Sequence, residues 1–339
     1  MVINDILVIG AGYTGAMIAA QLAALGAHVA VVDAQAVATG ATRRSVGLAT
    51  PSLALEQFAE TARGLNALTQ IADQHGVIPV ICSALHVVSR PLWNDQLRQR
   101  CQQLQRIDNT RFGWETHPDA VPNGYGAGIA VAHSMQINLE LLTVKLLQHE
   151  NISVHPGIEI NELRHEKGVM HALADKYTLR AESVVLATNA YCGSLSPYLS
   201  DSIHFARGTT WTSVPLDGAI YDAGLFAMPV IVDDGQLMVA RGNDSRLRIT
   251  AWNLQESNIA SEHDPAQTIR QFIEQQAPDL IRETERWQSG VTTCSLDGSP
   301  IVDQLPVEGR VYYALAAGQY GLAWGPIIAE RVTQLVKPA

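Results

Sequence analysis

The chain has 339 residues, 47% of them apolar and 17% charged, with a formal net charge of −10. This length and balance exclude an intrinsically disordered chain and leave room for more than one hydrophobic core. The acidic excess argues against a nucleic-acid partner, which calls for a basic face.

Four scattered cysteines (Cys82, Cys101, Cys192 and Cys294) show neither CxxC spacing nor clustered histidines. No zinc site or disulfide framework is expected, and a reducing compartment fits. Asp5 interrupts the only early apolar run, and no basic stretch precedes it, so no signal peptide is read. No apolar run approaches the ~20 residues of a transmembrane helix. The expected location is cytoplasmic.

The first element is a short apolar run, Ile6 to Ile9, which reads as a buried parallel strand. Gly10, Gly12 and Gly15 then give G-x-G-x-x-G, helical spacing runs from Ala16 to Leu25, and Gly26 closes the helix. A second strand, Val29 to Val32, ends in Asp33, which lies 18 residues beyond Gly15. In such a unit the first glycine permits the turn, the second admits a pyrophosphate, and the third packs helix on strand. The helix start offers unpaired N–H groups to phosphate, and the acid accepts bonds from ribose hydroxyls. A dinucleotide site follows, and an acid at the strand end disfavours a 2′-phosphate. These residues leave FAD and NAD as alternatives.

"GATRRSVGLATP", Gly40 to Pro51, is a loop whose hydroxyls and paired arginines suit a second phosphate or a solvated surface alike. Residues 53–74 and 93–107 read as helices, with an alternating strand at Ala84 to Arg90 between them. Asn138 to His149 reads as an amphipathic helix and Ile152 to His155 as a strand. "SVVLATNAY", Ser183 to Tyr191, is a buried strand ending in small polar residues, a usual place for a ligand. Ala206 to Trp252 is strand-rich, with a hairpin signal at Asp234-Gly235. Asp264-Pro265 caps a helix running to about Gln276. A strand from Val311 to Ala316 enters Gly318-Gln319-Tyr320-Gly321, and a helix is expected from about Pro326. That second glycine-rich turn aims another positive helix end at a ligand.

Four blocks together resemble the D-amino acid oxidase-like family of FAD-dependent oxidoreductases, which includes glycine oxidase, sarcosine oxidase and D-amino acid dehydrogenase. They are the Gly10–Asp33 fingerprint, "GATRRSVGLATP", "VVLATNAY" and "LDGSPIVDQLP…ALAAGQYGLAWGP". The resemblance implies an α/β fold: a Rossmann-type FAD-binding domain assembled from separated segments, and a mixed-sheet α+β substrate domain. The expected boundaries are 1–55, 135–195 and 292–339 for the first, and 56–134 and 196–291 for the second. It implies non-covalent FAD at the following positions. Gly10, Ala11, Gly12, Tyr13, Thr14 and Gly15 would face the pyrophosphate, with Asp33 and Ala34 at the ribose. Thr42, Arg43, Arg44, Ser45 and Gly47 would lie beside the pyrophosphate and the flavin. Ile160 would meet the adenine, and Ala187 and Thr188 the nucleotide cleft. Gly318, Gln319, Tyr320, Gly321, Leu322 and Ala323 would wrap the isoalloxazine.

The implied activity is oxidation of a C–N bond of a small amine or amino acid, with oxygen or another acceptor reoxidising the flavin. Many amino acid-oxidising relatives carry a carboxylate-binding arginine about five residues before "DG"; here that position is Thr292. Either another arginine substitutes, with Arg44, Arg207 and Arg241 as candidates, or the substrate lacks a carboxylate there. Thr292, Tyr320 and Trp324 are the expected substrate-side residues. Cys294 lies too close to Asp297 for covalent flavin attachment and is expected to be a small buried residue. His86 and His133 are read as ordinary strand or loop histidines. No metal-ligand or Ser/His/Asp constellation stands out. The alternatives are oxidation of a 2-hydroxy acid, and a flavoprotein subunit of a multi-component dehydrogenase.

Overall fold

A computed structural model describes residues 4–201, 203–216, 228–242, 244–254, 264–306 and 309–336. The outermost residues of the first and third expected FAD-domain segments lie outside these. The described strands form two sheets, numbered here in chain order.

The first sheet holds β1 (Asn4–Ile9), β2 (Val29–Asp33), β7 (Ile152–Pro156), β8 (Glu162–Glu166), β9 (Val169–Leu173), β10 (Thr178–Leu186), β16 (Ile301–Gln304) and β17 (Arg310–Leu315). Its main path runs β16-β17-β10-β1-β2-β7, and β17, β10, β1, β2 and β7 are mutually parallel. The second sheet holds β3 (Leu48–Ala49), β4 (Val80–Val87), β5 (Phe112–Glu115), β6 (Gly128–Gln136), β11 (His204–Ser213), β12 (Val230–Val232), β13 (Leu237–Arg241), β14 (Leu247–Leu254) and β15 (Thr284–Cys294). Its path runs β15-β11-β14-β13-β12-β4-β6-β3, antiparallel except where β12 meets β4. The helices are α1 (Tyr13–Ala24), α2 (Ala41–Arg44), α3 (Leu55–Gln74), α4 (Asn94–Ile107), α5 (Leu139–Leu146), α6 (Pro197–Ser200), α7 (Pro265–Gln276) and α8 (Gly321–Leu335).

The continuous apolar runs of β1, β2 and β10 are explained by burial on both faces. Ile6, Val8, Val29, Val31 and Val185 face a core shared with α1, α3, α5 and α8. Leu7, Ile9, Ala30, Val32 and Leu186 face a second core on the opposite side. On the second sheet, Leu85, Val87, Val230, Leu237 and Ile249 pack against Ile269, Phe272 and Ile273 of α7. Asp264 caps α7 by accepting from the Ala266 N–H at 3.0 Å, as the Asp-Pro signal predicts. On the other face, Phe112 of β5 and Ile129 and Val131 of β6 pack against Cys101 and Leu104 of α4.

Three elements differ from the sequence expectation. α3 packs on the first sheet, with Leu65, Leu68 and Ala72 in its core. There it crosses α8 so closely that a Cβ on Gly64 would strike the Ala323 carbonyl oxygen. Conversely, Leu48–Ala49 pair with β6 of the second sheet. Finally, α8 begins at Gly321, so Pro326 sits inside it rather than at its start. Proline has no N–H, which frees the carbonyl four residues earlier. That carbonyl, Leu322, accepts a hydrogen bond from the Tyr13 hydroxyl of α1 at 2.9 Å. Gly325 makes room for the Tyr13 ring, which a Cβ there would hit.

Candidate functional site

The carboxyl ends of β17, β10, β1 and β2 open on one cleft, between β1, whose connection leads to β2 on one side, and β10, whose chain re-enters the sheet at β16 and β17 on the other, the usual ligand position in open α/β sheets. The cleft continues into a chamber against the second sheet, and together they enclose about 1550 Å³. That exceeds the roughly 300–1,000 Å³ of an ordinary small-molecule pocket. That volume has room for a long ligand and a second, smaller molecule.

At the nucleotide end, Gly10 has φ +114°, and a Cβ on it would press on the Ala187 carbonyl. A Cβ on Gly15 would collide with the Gly10 carbonyl, which is why this position packs rather than binds. Gly12 differs: a Cβ there would meet only Thr42 Oγ1, at 3.3 Å, and it lines the cleft. Asp33 also lines the cleft, and its carboxylate accepts from the Ala11 N–H and the Gln35 N–H, both at 2.8 Å. It therefore holds the glycine loop against the end of β2. Thr42 Oγ1 accepts from the Tyr13 N–H at 2.9 Å, fixing α2 beside the start of α1. The N-cap residues Gly12 of α1 and Tyr320 of α8 make no side-chain cap bond, so apart from the Tyr13 N–H held by Thr42 first-turn donors face the cleft.

Of the residues singled out from sequence, the cleft lining includes Gly10, Gly12, Tyr13, Thr14, Asp33, Ala34, Thr42, Arg44, Ser45, Ile160, Ala187 and Thr188. It also includes Thr292, Gly318, Gln319, Gly321 and Leu322. Ala11 and Gly15 support the loop from behind. Gly47, with φ +75°, is a glycine because a Cβ would strike the Ile137 carbonyl. Arg43 is exposed and points away, while its neighbour Arg44 is buried in the cleft wall. Ala323 is fully buried beneath α3. Tyr320 and Trp324, expected beside the substrate, instead turn into the core of the first sheet, at 6% and 1% exposure. The cause is the early start of α8, which rotates both side chains inward. Cys294 is half-buried and lines the chamber rather than filling a core.

Of the candidate arginines, Arg44 alone lines the chamber; Arg207 and Arg241 do not. Its guanidinium lies across Gly290, where any Cβ would displace it, and Nη2 donates to the Val291 carbonyl at 3.2 Å. The Thr210 and Thr250 hydroxyls both donate to its backbone carbonyl. It forms no ion pair among the described residues, Nε has no partner, and burial pushes its pKa down.

Asn189, Trp252 and His86 were not singled out as site residues. Asn189 has φ +50°, a conformation asparagine tolerates. Its Nδ2 donates to Thr292 Oγ1 at 3.0 Å, and its Oδ1 accepts from the N–H and hydroxyl of Thr293. It thus staples β15 to the end of β10. Asn189→Ala removes these bonds from a left-handed residue and is expected to cost about 2–3 kcal/mol in urea denaturation. The Trp252 ring lies flat over Gly208 and forms an apolar chamber wall. His86 is 2% exposed, yet lines the chamber with neither ring nitrogen hydrogen-bonded.

Two glycine turns and two bare helix ends facing one cleft, with a chamber beyond, define a dinucleotide-dependent enzyme with an adjoining substrate space. A family model described as FAD dependent oxidoreductase (DAO) matches residues 5–335, and the chain belongs to that family. It is an FAD-dependent oxidoreductase. None of the curated proteins matches the sequence. Solved structures share the fold. Glycine oxidase from Geobacillus kaustophilus aligns at TM-score 0.79 and 16% identity, covering 98% of this chain and 94% of that one. L-proline dehydrogenase from P. horikoshii aligns at 0.79 and 14%, covering 99% and 93%. Dithionite-reduced L-alpha-glycerophosphate oxidase from Mycoplasma pneumoniae, with FAD bound, aligns at 0.79 and 14%, covering 100% and 96%. No helix among the described residues is long and apolar enough to cross a membrane.

Proposed function

We propose that the protein oxidises a C–N bond of a small amine or amino acid, giving an imine that water converts to a carbonyl product and free amine. The observation that carries this reading is the charge of the cavity wall. Arg44 is the one arginine or lysine among the described lining residues, against Asp33, Glu159, Asp233 and Asp234. Such a wall draws an amine more readily than an anionic hydroxy acid.

The residues at the cleft fit FAD held without a covalent bond. Gly12 and Gly318 leave the space of a side chain largely open, and Thr188 Oγ1 is buried there without a partner. The start of α1, with Thr14 and Thr42, would hold the pyrophosphate, and Asp33 and Ile160 the adenosine end. Gly318 to Leu322, at the start of α8, would hold the isoalloxazine, where donors and a helix dipole favour negative charge. The FAD domain would then comprise the segments that build the first sheet, and the second sheet would serve the substrate. Bound FAD supplies the acceptor for the hydride lost from the substrate carbon.

The chain's own residues position and desolvate. Trp252 and Met238 give the chamber an apolar floor that excludes water from the reacting carbon. The Thr292 hydroxyl, whose oxygen accepts from Asn189, keeps its proton to donate to a substrate atom. Among the described residues, Arg44 is the only arginine or lysine lining the chamber, and so the one able to meet a carboxylate where Thr292 replaces arginine.

The test is anaerobic mixing of FAD-loaded protein with amines, amino acids and 2-hydroxy acids while the visible flavin absorbance is followed. Bleaching by an amine or amino acid is the expected result. Bleaching by a hydroxy acid alone would transfer the reading to C–O oxidation, for which the glycerophosphate oxidase fold is a precedent. No bleaching by any of them would favour a subunit that needs a partner.

A further inference from the structure

His86 stands in the middle of the second sheet, directly between Ile129 of β6 and Ile231 of β12. Its alternation places it on the chamber face, opposite the α7 face occupied by Leu85 and Val87. Two unpaired nitrogens on a buried ring forfeit their hydration with no return, unless a group entering the chamber pairs with them. Burial pushes its pKa down to about 3, so the ring is neutral, one nitrogen donating and the other accepting.

A second group points to the chemistry of that entrant. β12 ends in a tight turn, with Asp233 and Asp234 at φ 47° and 53°. The Asp233 carboxylate is taken by the N–H and hydroxyl of Ser89, just beyond β4. The Gln319 amide donates to the Asp234 carbonyl at 2.8 Å, locking the turn to the glycine-rich turn before α8. Asp234 is exposed at the chamber rim, its carboxylate accepts no hydrogen bond among the described residues, and Arg100 of α4 acts on it through space. It lies three residues beyond Ile231, the cross-strand neighbour of His86. At about 3.3 Å per residue, that is at most roughly 10 Å along the strand. Two non-Gly residues held left-handed at a cavity rim are the kind of strain that persists at ligand sites. A neutral imidazole and an open carboxylate repel an anion and suit an ammonium group. Arg44 lies over β15, five strands from His86 along the sheet, and Arg100, the cation that acts on Asp234, donates to the Leu53 carbonyl at 2.9 Å.

We propose that His86 and Asp234 form a subsite for a second nitrogen of the substrate, so that the enzyme takes a diamine or longer polyamine in preference to a simple monoamine or α-amino acid. The proposal rests on the C–N oxidation reading and names its substrate class.

The test titrates FAD-loaded protein with straight-chain diamines, and with monoamines and α-amino acids of equal carbon number. Binding is read from perturbation of the flavin absorbance and, separately, turnover from anaerobic bleaching. Diamines are expected to bind about tenfold or more tighter than the matched monoamines. His86→Leu and Asp234→Asn should each remove that preference. His86→Gln, which restores one donor and one acceptor, should keep it within about threefold. If His86→Leu does not fold, the other two variants decide. Equal binding of diamine and monoamine, or a preference that survives both substitutions, would overturn the subsite. So would an altered FAD dissociation constant in His86→Leu, which would assign the imidazole to the cofactor. Diamines that bind by this rule but never bleach the flavin would leave the subsite standing and defeat the C–N reading instead.

Discussion

Replacing Gly12 by valine yields a folded protein that no longer turns yellow with FAD. The contrast among three glycines supports this. A Cβ on Gly10 or Gly15 would run into backbone of the same loop or of β10, so substitution there damages the fold itself. At Gly12 an added Cβ meets only Thr42 Oγ1, at 3.3 Å, and Gly12 lines the cleft where the pyrophosphate is proposed to lie. Backbone approach to phosphate at this position needs a bare Cα. A loss of FAD affinity of about 100-fold or more, roughly 3 kcal/mol, is expected. Flavin fluorescence titration measures it, and far-UV circular dichroism verifies the fold. Undiminished FAD affinity in the folded variant would place the pyrophosphate elsewhere.

Trp324→Ala is the substitution with the largest expected effect on stability. The indole is 1% exposed within the core shared by α1, α3 and α8. The Arg331 guanidinium sits over its ring, 5.7 Å from the centroid, and is held there by Glu60 of α3 at 2.8 and 2.9 Å. Truncation removes the ring, leaves a cavity and takes away the surface on which Arg331 rests. About 3–5 kcal/mol of unfolding free energy should be lost, measured by urea denaturation. Trp324→Phe should cost less, because it keeps most of the volume and removes an indole N–H that has no acceptor in the core. If the alanine variant proves as stable as the parent, Trp324 is not part of the core and the inward rotation of α8 is wrong.

The β1-α1-β2 unit was legible because every local signal agrees: an apolar strand, three spaced glycines, helical periodicity and a terminal acid. The same holds for α7, whose start is written in Asp264-Pro265. The start of α8 was misjudged because Pro326 normally marks a first turn. Here the carbonyl it leaves bare is served by Tyr13, 309 positions away, which no local pattern reveals. That shift also reversed the expected direction of Tyr320 and Trp324. Arg43 and Arg44 could not be separated by inspection, since neighbours on a helical turn differ by about 100° and only the surroundings decide which faces inward. His86 looks like any histidine in an alternating strand. Its meaning depends on knowing that one face of the second sheet borders a chamber, a fact set by packing between sheets. Asn189 was visible within "ATNAY", but its bonds reach Thr292 and Thr293, more than 100 positions on.

The hydroxyl-to-carbonyl link between Tyr13 and Leu322 also governs when the protein becomes competent during synthesis. The first glycine loop is translated some 300 residues before the opposing lip. Joining them closes a loop whose entropic cost is about 5 kcal/mol by the logarithmic law. The cleft is therefore complete only once both of its lips, some 300 residues apart, have been made.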